Sequence, residues 1–66
     1  MRKLTYKVIE ETETTQKIYH LEFITDRTPQ WTEQQYLRHR GGYKMELISD
    51  EETEEEEPVS REVELG

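Results

Sequence analysis

The chain has 66 residues, no cysteine and a formal net charge of −7; 30% of its residues are hydrophobic and 38% are charged. So short a chain forms one domain at most and has a small core. The lack of cysteine excludes disulfides and thiolate metal sites. No segment approaches the roughly 20 apolar residues of a membrane-spanning helix, so we expect a soluble, cytoplasmic protein that does not contact a membrane.

The first two predicted elements are strands that form a hairpin. Apolar and polar residues alternate over positions 3–8 and again over 19–23, and this period of two is typical of half-buried strands. The segment between them has neither Asn-Gly nor Asp-Gly for a two-residue turn, so we expect a four-residue loop over 12–15. Both apolar sets share one face of the hairpin when Leu4 pairs with Phe23, Tyr6 with Leu21 and Val8 with Tyr19.

A helix is predicted next, over residues 29–40. Thr28 is the expected N-cap, with Pro29 at the first helical position. A capping box of Thr32 and Gln35 one turn later is an equal alternative for the start. Arg38 and Arg40 would lie in the last turn, where cations complement the helix dipole. The glycine pair at 41–42 would end the helix.

A third strand, running from Tyr43 to Ile48 or Ser49, follows the glycine pair, because apolar and polar residues alternate again over 43–47. The predicted fold class is α+β, with the order β-β-α-β. It has a three-stranded antiparallel or mixed sheet, one helix packed on one face, and strand order 2-1-3. Dimerisation through a sheet edge or the open face is an alternative for so small a core. The predicted core contains Leu4, Tyr6, Val8, Tyr19, Leu21, Phe23, Leu37, Met45 and Leu47, with either Trp31 or Tyr36.

Charge divides the chain at Ser49 into a domain over 1–49 and an acidic, flexible C-terminal tail over 50–66. The first part has eight basic and seven acidic residues, whereas the second has nine acidic residues and only Arg61 as a base. Self-repulsion should keep such a block extended and mobile. After Pro58, a weak alternating pattern could dock on a sheet edge or fold on a partner, and we expect it to be disordered in the free protein. The acidic candidates are Asp50, Glu51, Glu52, Glu54, Glu55, Glu56 and Glu57.

No residue pattern indicates catalysis, a cofactor or a metal site. The only serines are Ser49 and Ser60, and neither is placed by the sequence near His20 or His39 to form a nucleophile–base pair. The two histidines are far apart in sequence and lack the frame of a metal site. The acidic run also lacks the alternating ligands and the turn glycine of a calcium loop. We therefore expect a protein that is not an enzyme.

The surface of the predicted helix offers the best candidate contact site. Trp31, Tyr36, Arg38 and Arg40 are candidate protein-binding residues, since aromatic and arginine side chains are enriched in interface hot spots. An alternative interpretation takes the basic cluster of residues 38–40 and Lys44 as a phosphate-contacting patch. The tethered acidic tail would compete with nucleic acid for that patch and autoinhibit binding.

Size, acidity and the β-β-α-β order over residues 3–49 resemble those of small bacteriophage proteins that take over the host. These include inhibitors of RNA polymerase and uracil-DNA glycosylase inhibitors that act as DNA mimics. The resemblance covers element order and composition, and no family motif assigns a role to a residue. It implies a noncatalytic inhibitor whose acidic tail competes for a basic site on a protein partner, a host nucleic-acid-handling enzyme. The alternatives are the autoinhibited nucleic-acid binder and a structural subunit of a larger assembly.

Overall fold

The computed structural model describes residues 1–65, which form four strands and one helix. The order is β1 (Arg2–Glu11), β2 (Gln16–Thr25), α1 (Pro29–Leu37), β3 (Tyr43–Glu52) and β4 (Val59–Val63). The strands make one sheet in the order β3-β1-β2-β4, in which every neighbouring pair is antiparallel. The small α+β class and the order of the first three strands are confirmed, but the sheet has four strands rather than three.

The β1–β2 hairpin has the predicted register. Leu4 lies opposite Phe23, Tyr6 opposite Leu21 and Val8 opposite Tyr19. In the loop, the Thr12 backbone N–H donates to the Thr15 carbonyl at 2.8 Å, and the Thr15 N–H donates to the Thr12 hydroxyl at 3.0 Å. The threonines therefore close the predicted four-residue loop without glycine, because a side-chain oxygen satisfies a turn N–H.

The helix begins at the earlier of the two predicted starts and ends before its predicted end. The Thr28 hydroxyl accepts a hydrogen bond from the Trp31 N–H at 3.1 Å, so Thr28 is the N-cap and Pro29 follows it. The chain then leaves the helix at Arg38, which is extended, and His39 has a positive φ of 61°. The prediction that Arg38 and Arg40 lie in the last helical turn is wrong, since both lie in the turn that leads to β3.

The core lies between α1 and the sheet face that carries alternate residues of β1. Within it Thr32 of α1 is buried, while Leu37 is only half-buried. Leu47 was predicted in the core but is 43% exposed on edge strand β3, opposite the fully buried Tyr6. No helix covers the opposite sheet face within residues 1–65, although Ile24 on that face is only 1% exposed. Leu4, Tyr6 and Val8 are fully buried, and Tyr19, Leu21, Phe23, Tyr36, Tyr43 and Met45 pack against them.

Ion pairs explain why β3 continues through three of the acidic residues. Arg2 and Lys3 at the start of β1 lie beside them, with Arg2 Nε 2.7 Å from Asp50 Oδ1 and Lys3 Nζ 3.7 Å from Glu51 Oε2. Opposite charges on adjacent strands offset the self-repulsion that the sequence alone emphasises.

The fourth strand uses the weak alternating pattern that follows Pro58. Residues 53–58 connect the end of β3 to β4, and β4 pairs with β2. Arg61 lies opposite Glu22, and its Nε is 2.5 Å from a Glu22 carboxylate oxygen. The sheet thus uses residues on both sides of Ser49, and the flexibility of residues 50–66 stays a prediction. No helix within residues 1–65 is long and apolar enough to cross a membrane.

Candidate protein-binding groove

A groove of about 390 Å³ lies between α1 and β4, and we name it the α1–β4 groove. One wall is α1 with Arg40 after it, and the other is the start of β4. The end of β2 contributes the base. The lining residues are Phe23, Ile24 and Thr25 from β2, Trp31, Thr32, Gln35 and Tyr36 from α1, Arg40, and Pro58, Val59 and Ser60 around the start of β4.

Trp31 is the exposed aromatic wall of this groove. Thr32 and Tyr36, four residues apart on one side of α1, turn toward the sheet, and Thr32 is buried. Trp31 precedes Thr32 and therefore lies at the margin of the buried face, where it is 43% exposed. The Arg27 guanidinium lies 5.2 Å from the centroid of its ring, a cation–π distance.

Tyr36 connects the groove to the core. Its ring packs edge-on against Phe23 at 5.9 Å and Tyr43 at 6.4 Å between centroids. Its hydroxyl lies 2.9 Å from the Tyr19 hydroxyl. These contacts fix the ring from several directions, so Tyr36 is a rigid part of the groove wall.

Arg40 is held against Tyr36 from outside. Its guanidinium lies 4.4 Å from the Tyr36 ring centroid, and its Nη1 donates a hydrogen bond to the Tyr36 carbonyl at 2.5 Å. The positive φ of His39 reverses the chain after α1, and the Arg40 N–H donates to the Leu37 carbonyl at 3.0 Å. The reversal brings Arg40 back along the helix, where it also satisfies an open helix carbonyl.

On its core side, Tyr36 contacts a cluster formed by the Glu10 carboxylate and the side chains of Tyr19 and Tyr43. The Tyr19 hydroxyl donates to Glu10 Oε1 at 2.9 Å. Hydrogen bonds from the Tyr43 and Tyr19 hydroxyls lower the pKa of Glu10 below its ordinary value. Burial, with Tyr36 and Glu10 nearby, raises the pKa of Tyr19. The cluster orders the side of Tyr36 that faces the core.

Sequence reasoning missed Glu10, which lies beyond the alternating positions 3–8 of the first predicted strand. The signal was available, because Glu10 continues the alternation of positions 4, 6 and 8 that face the helix. Strand β1 runs through Glu11, and Glu10 lies opposite Tyr43 on β3. A carboxylate in register with core positions indicates a hydrogen-bonded partner.

The structure brings together three of the four residues predicted as a contact site. Trp31, Tyr36 and Arg40 line the α1–β4 groove, whereas Arg38 is exposed in the turn after α1 and is not part of the lining. The wall from β4 was missed because it depends on a strand that sequence reasoning expected to be disordered.

The predicted basic cluster is divided between two faces of the sheet. Arg40 folds onto Tyr36 on the helix side. Lys44 lies opposite Ile9 in β3, between Tyr43 and Met45, which pack on the helix side. Alternation along a strand therefore directs Lys44 to the open face.

Three of the seven acidic candidates make ion pairs within the fold. Asp50 pairs with Arg2 and Glu51 with Lys3, and Glu55 lies 3.6 Å from Arg61. Such pairing lowers the charge that these residues present to a partner. The acidic candidates outside these pairs are Glu52, Glu54, Glu56 and Glu57.

Within residues 1–65, no three His, Asp or Glu side chains are grouped as metal ligands. His20 lies on β2 opposite Val63, and His39 lies in the turn after α1. The absence of enzymatic activity stays a prediction. Comparisons with protein-family models, curated proteins and solved structures gave no match to this chain.

Proposed function

We propose that this protein is a noncatalytic protein-binding module whose contact surface is the α1–β4 groove. The observation that carries the proposal is the 43% exposure of Trp31 on one wall of a concave site whose other wall is the start of β4. Exposed aromatic side chains beside an arginine are the residue types that dominate interface energetics. The support of Tyr36 from the core means that little ordering is required when a partner binds.

The partner that we propose is a protein with a basic surface. The connection of residues 53–58 contains four glutamates and leads directly into the groove at Pro58. Negative charge at this position attracts a basic surface over the distance of charge screening and so accelerates association. A host nucleic-acid-handling enzyme, whose substrate site is basic, fits this description, and the module would then act as an inhibitor in the manner of small bacteriophage proteins.

The experiment that tests the proposal compares two substitutions of exposed apolar residues. Trp31→Ser removes the aromatic wall of the groove, and Ile48→Ser is the matched control, since Ile48 is 51% exposed on edge strand β3. Circular dichroism checks that both variants keep the fold. We expect affinity capture from cell lysate to retain its partners with Ile48→Ser and to lose them with Trp31→Ser.

Two results of that comparison would contradict the proposal. If Trp31→Ser captures the same partners as the wild type, the groove is not the contact surface. If Ile48→Ser abolishes capture while Trp31→Ser does not, the contact surface lies at the β3 edge.

The nucleic-acid-binding alternative has less support. A phosphate-contacting patch requires its cations on one surface, and Arg40 and Lys44 lie on opposite faces of the sheet. Titration with single-stranded and duplex DNA and RNA at low salt tests it, and salt-dependent binding that Lys44→Gln weakens would favour this alternative.

A further inference from the structure

The sheet ends at two edge strands that differ in their suitability for pairing with another strand. The sheet order places β3 at one edge and β4 at the other. The β3 edge is interrupted, because its register against β1 shifts at Thr5/Tyr6, and its last residues are acidic. A bulge and like charges are features that oppose strand addition.

The edge of β4 has neither feature. Its sequence from Val59 to Val63 has one basic and one acidic residue, and its pairing with β2 is regular. Pairing with β2 and the Arg61–Glu22 contact hold β4 in place on one side. Its other side therefore presents a row of backbone donors and acceptors. This row is about 17 Å long, at roughly 3.4 Å per residue.

The α1–β4 groove lies where the side chains of a fifth strand would point. Ser60 lies opposite Phe23, which packs on the helix side, and both line the groove. A strand added beside β4 would lie about 4.8 Å further out, with every second side chain on this same side. Those side chains would meet Trp31, and backbone pairing with pockets for alternate side chains is a general mode of peptide recognition.

The charge of the groove indicates which kind of side chain the added strand should carry. Among the described residues that line the groove, Arg40 is the only charged one. Its guanidinium is held by the Tyr36 ring and carbonyl, so it loses little freedom on binding an anion. A carboxylate is its natural partner, since a guanidinium binds a carboxylate through two parallel hydrogen bonds.

We propose that the free edge of β4 binds an extended segment of a partner protein as a fifth strand, with an apolar side chain in the α1–β4 groove and a carboxylate at Arg40. This inference rests on the proposed function and names the form of the partner. The acidic connection attracts a basic protein surface over long range, whereas Arg40 requires one carboxylate at short range on the segment itself.

The test starts from a displayed library of random peptides about 10 residues long, enough to cover β4 with flanking residues. Peptides selected on the wild-type protein are resynthesised with a single N-methyl group on each backbone amide in turn. A paired strand directs alternate amides toward its neighbour. We expect N-methylation to weaken binding about tenfold or more at every second position and little at the positions between them.

Arg40 is tested by a double-mutant cycle. Arg40→Gln in the protein is combined with replacement of the acidic residue in the peptide by its amide, and Arg40→Lys is the charge-conserving variant. We expect each single change to weaken binding about tenfold, and the second change to have little further effect once the first is present. Because the cycle compares peptides on the same variant, a small loss of stability in Arg40→Gln does not change its result.

Several outcomes would overturn the inference. The first is a selection that yields no binding peptide. The second is binding that N-methylation weakens equally at successive positions, or at none of them. The third is a double-mutant cycle in which the effects of the two changes add independently. A dimer that the peptide dissociates, seen by light scattering, would assign the β4 edge to a second copy and overturn the inference as well. Peptides that depend on Trp31 without the alternating pattern would leave the proposed function standing and remove only the fifth strand.

Discussion

The two adjacent glycines before β3 offer a sharp test of the turn that places Arg40 against α1. Gly42 has a φ of 85°, and a Cβ at this position would lie 2.8 Å from the Glu11 backbone oxygen. A Cβ at Gly41 would have no heavy atom within 4 Å, and its φ is not positive. Gly42→Ala and Gly41→Ala are therefore a matched pair of the same chemical change, one in a crowded and one in an open position.

The expected cost of Gly42→Ala has two parts. Placing an L-residue in the left-handed region costs about 1–2 kcal/mol. Displacing the Glu11 backbone weakens the hydrogen bond from the Glu11 N–H to the Gly42 carbonyl, which is 3.1 Å long, at a further cost of about 1 kcal/mol. The lower entropy of the unfolded alanine chain offsets about 0.5 kcal/mol. The net loss is about 2 kcal/mol of unfolding free energy, whereas Gly41→Ala should gain about 0.5 kcal/mol.

Urea denaturation followed by circular dichroism measures both values. A domain of this length has a total stability of roughly 3–10 kcal/mol, so a loss of about 2 kcal/mol moves the midpoint clearly. Unfolding free energies of the two variants that agree within about 0.5 kcal/mol, the size of an ordinary surface effect, would refute the reasoning about the turn.

Four further predictions concern the buried Tyr6, the tyrosine cluster and the acidic connection. Tyr6→Phe removes the hydrogen bond from the buried Tyr6 hydroxyl to the Pro29 carbonyl, 3.1 Å long, and should cost about 1 kcal/mol in urea denaturation; an unchanged midpoint would contradict this. Burial raises the pKa of Tyr6 to about 12 from 10.0, so the folded state favours the neutral phenol and its stability should fall as pH rises between these values. Tyr6→Phe should make that fall shallower, and identical alkaline profiles would count against it. The pKa of Glu10 is lowered in the fold, so its stabilising effect is present above the ordinary carboxyl pKa and is lost as pH falls through the folded pKa. Glu10→Gln should therefore destabilise the protein at neutral pH and flatten the acid limb of the stability profile, and an acid limb as steep as that of the wild type would show that another carboxylate controls it. The unpaired acidic residues of the connection are Glu54, Glu56 and Glu57. Their replacement by glutamine should slow association with a captured partner at low salt and change it little at high salt. An unchanged association rate at low salt would show that these residues do not steer the partner.

Residues whose structure depends on near neighbours were predictable from the sequence. The period of two restricted the β1–β2 hairpin to pairings of even with odd positions, and the four-residue loop selected the register in which Tyr6 lies opposite Leu21. The start of α1 was also local, since the N-cap Thr28 and Pro29 adjoin each other in sequence.

The features that sequence reasoning missed depend on distant partners. The acidic continuation of β3 is stabilised by Arg2 and Lys3 from the other end of the chain, so composition within the segment predicted the opposite. Strand β4 likewise depends on Glu22 of β2 for the contact of Arg61. Its alternating pattern was visible, but a five-residue pattern beside an acidic run does not reveal which edge will pair with it.

The candidate site was predictable only in part for the same reason. The aromatic and arginine side of the groove belongs to α1 and the turn after it, which the sequence identified through Trp31, Tyr36 and Arg40. The opposite wall belongs to β4 and was absent from the prediction. The early end of α1 at Leu37 also changed the role of Arg40 from a helix residue to one that folds back onto Tyr36.

The most direct test of the groove as the contact surface is amide chemical-shift mapping. Isotope-labelled wild-type protein is titrated with the tightest peptide from the displayed library, and shifts are followed for every assigned amide. We predict that the changes concentrate in α1 around Trp31, at Arg40 and along Val59–Val63. Changes that concentrate instead along β3 around Ile48, or on the open sheet face around Lys7 and Ile18, would contradict the account.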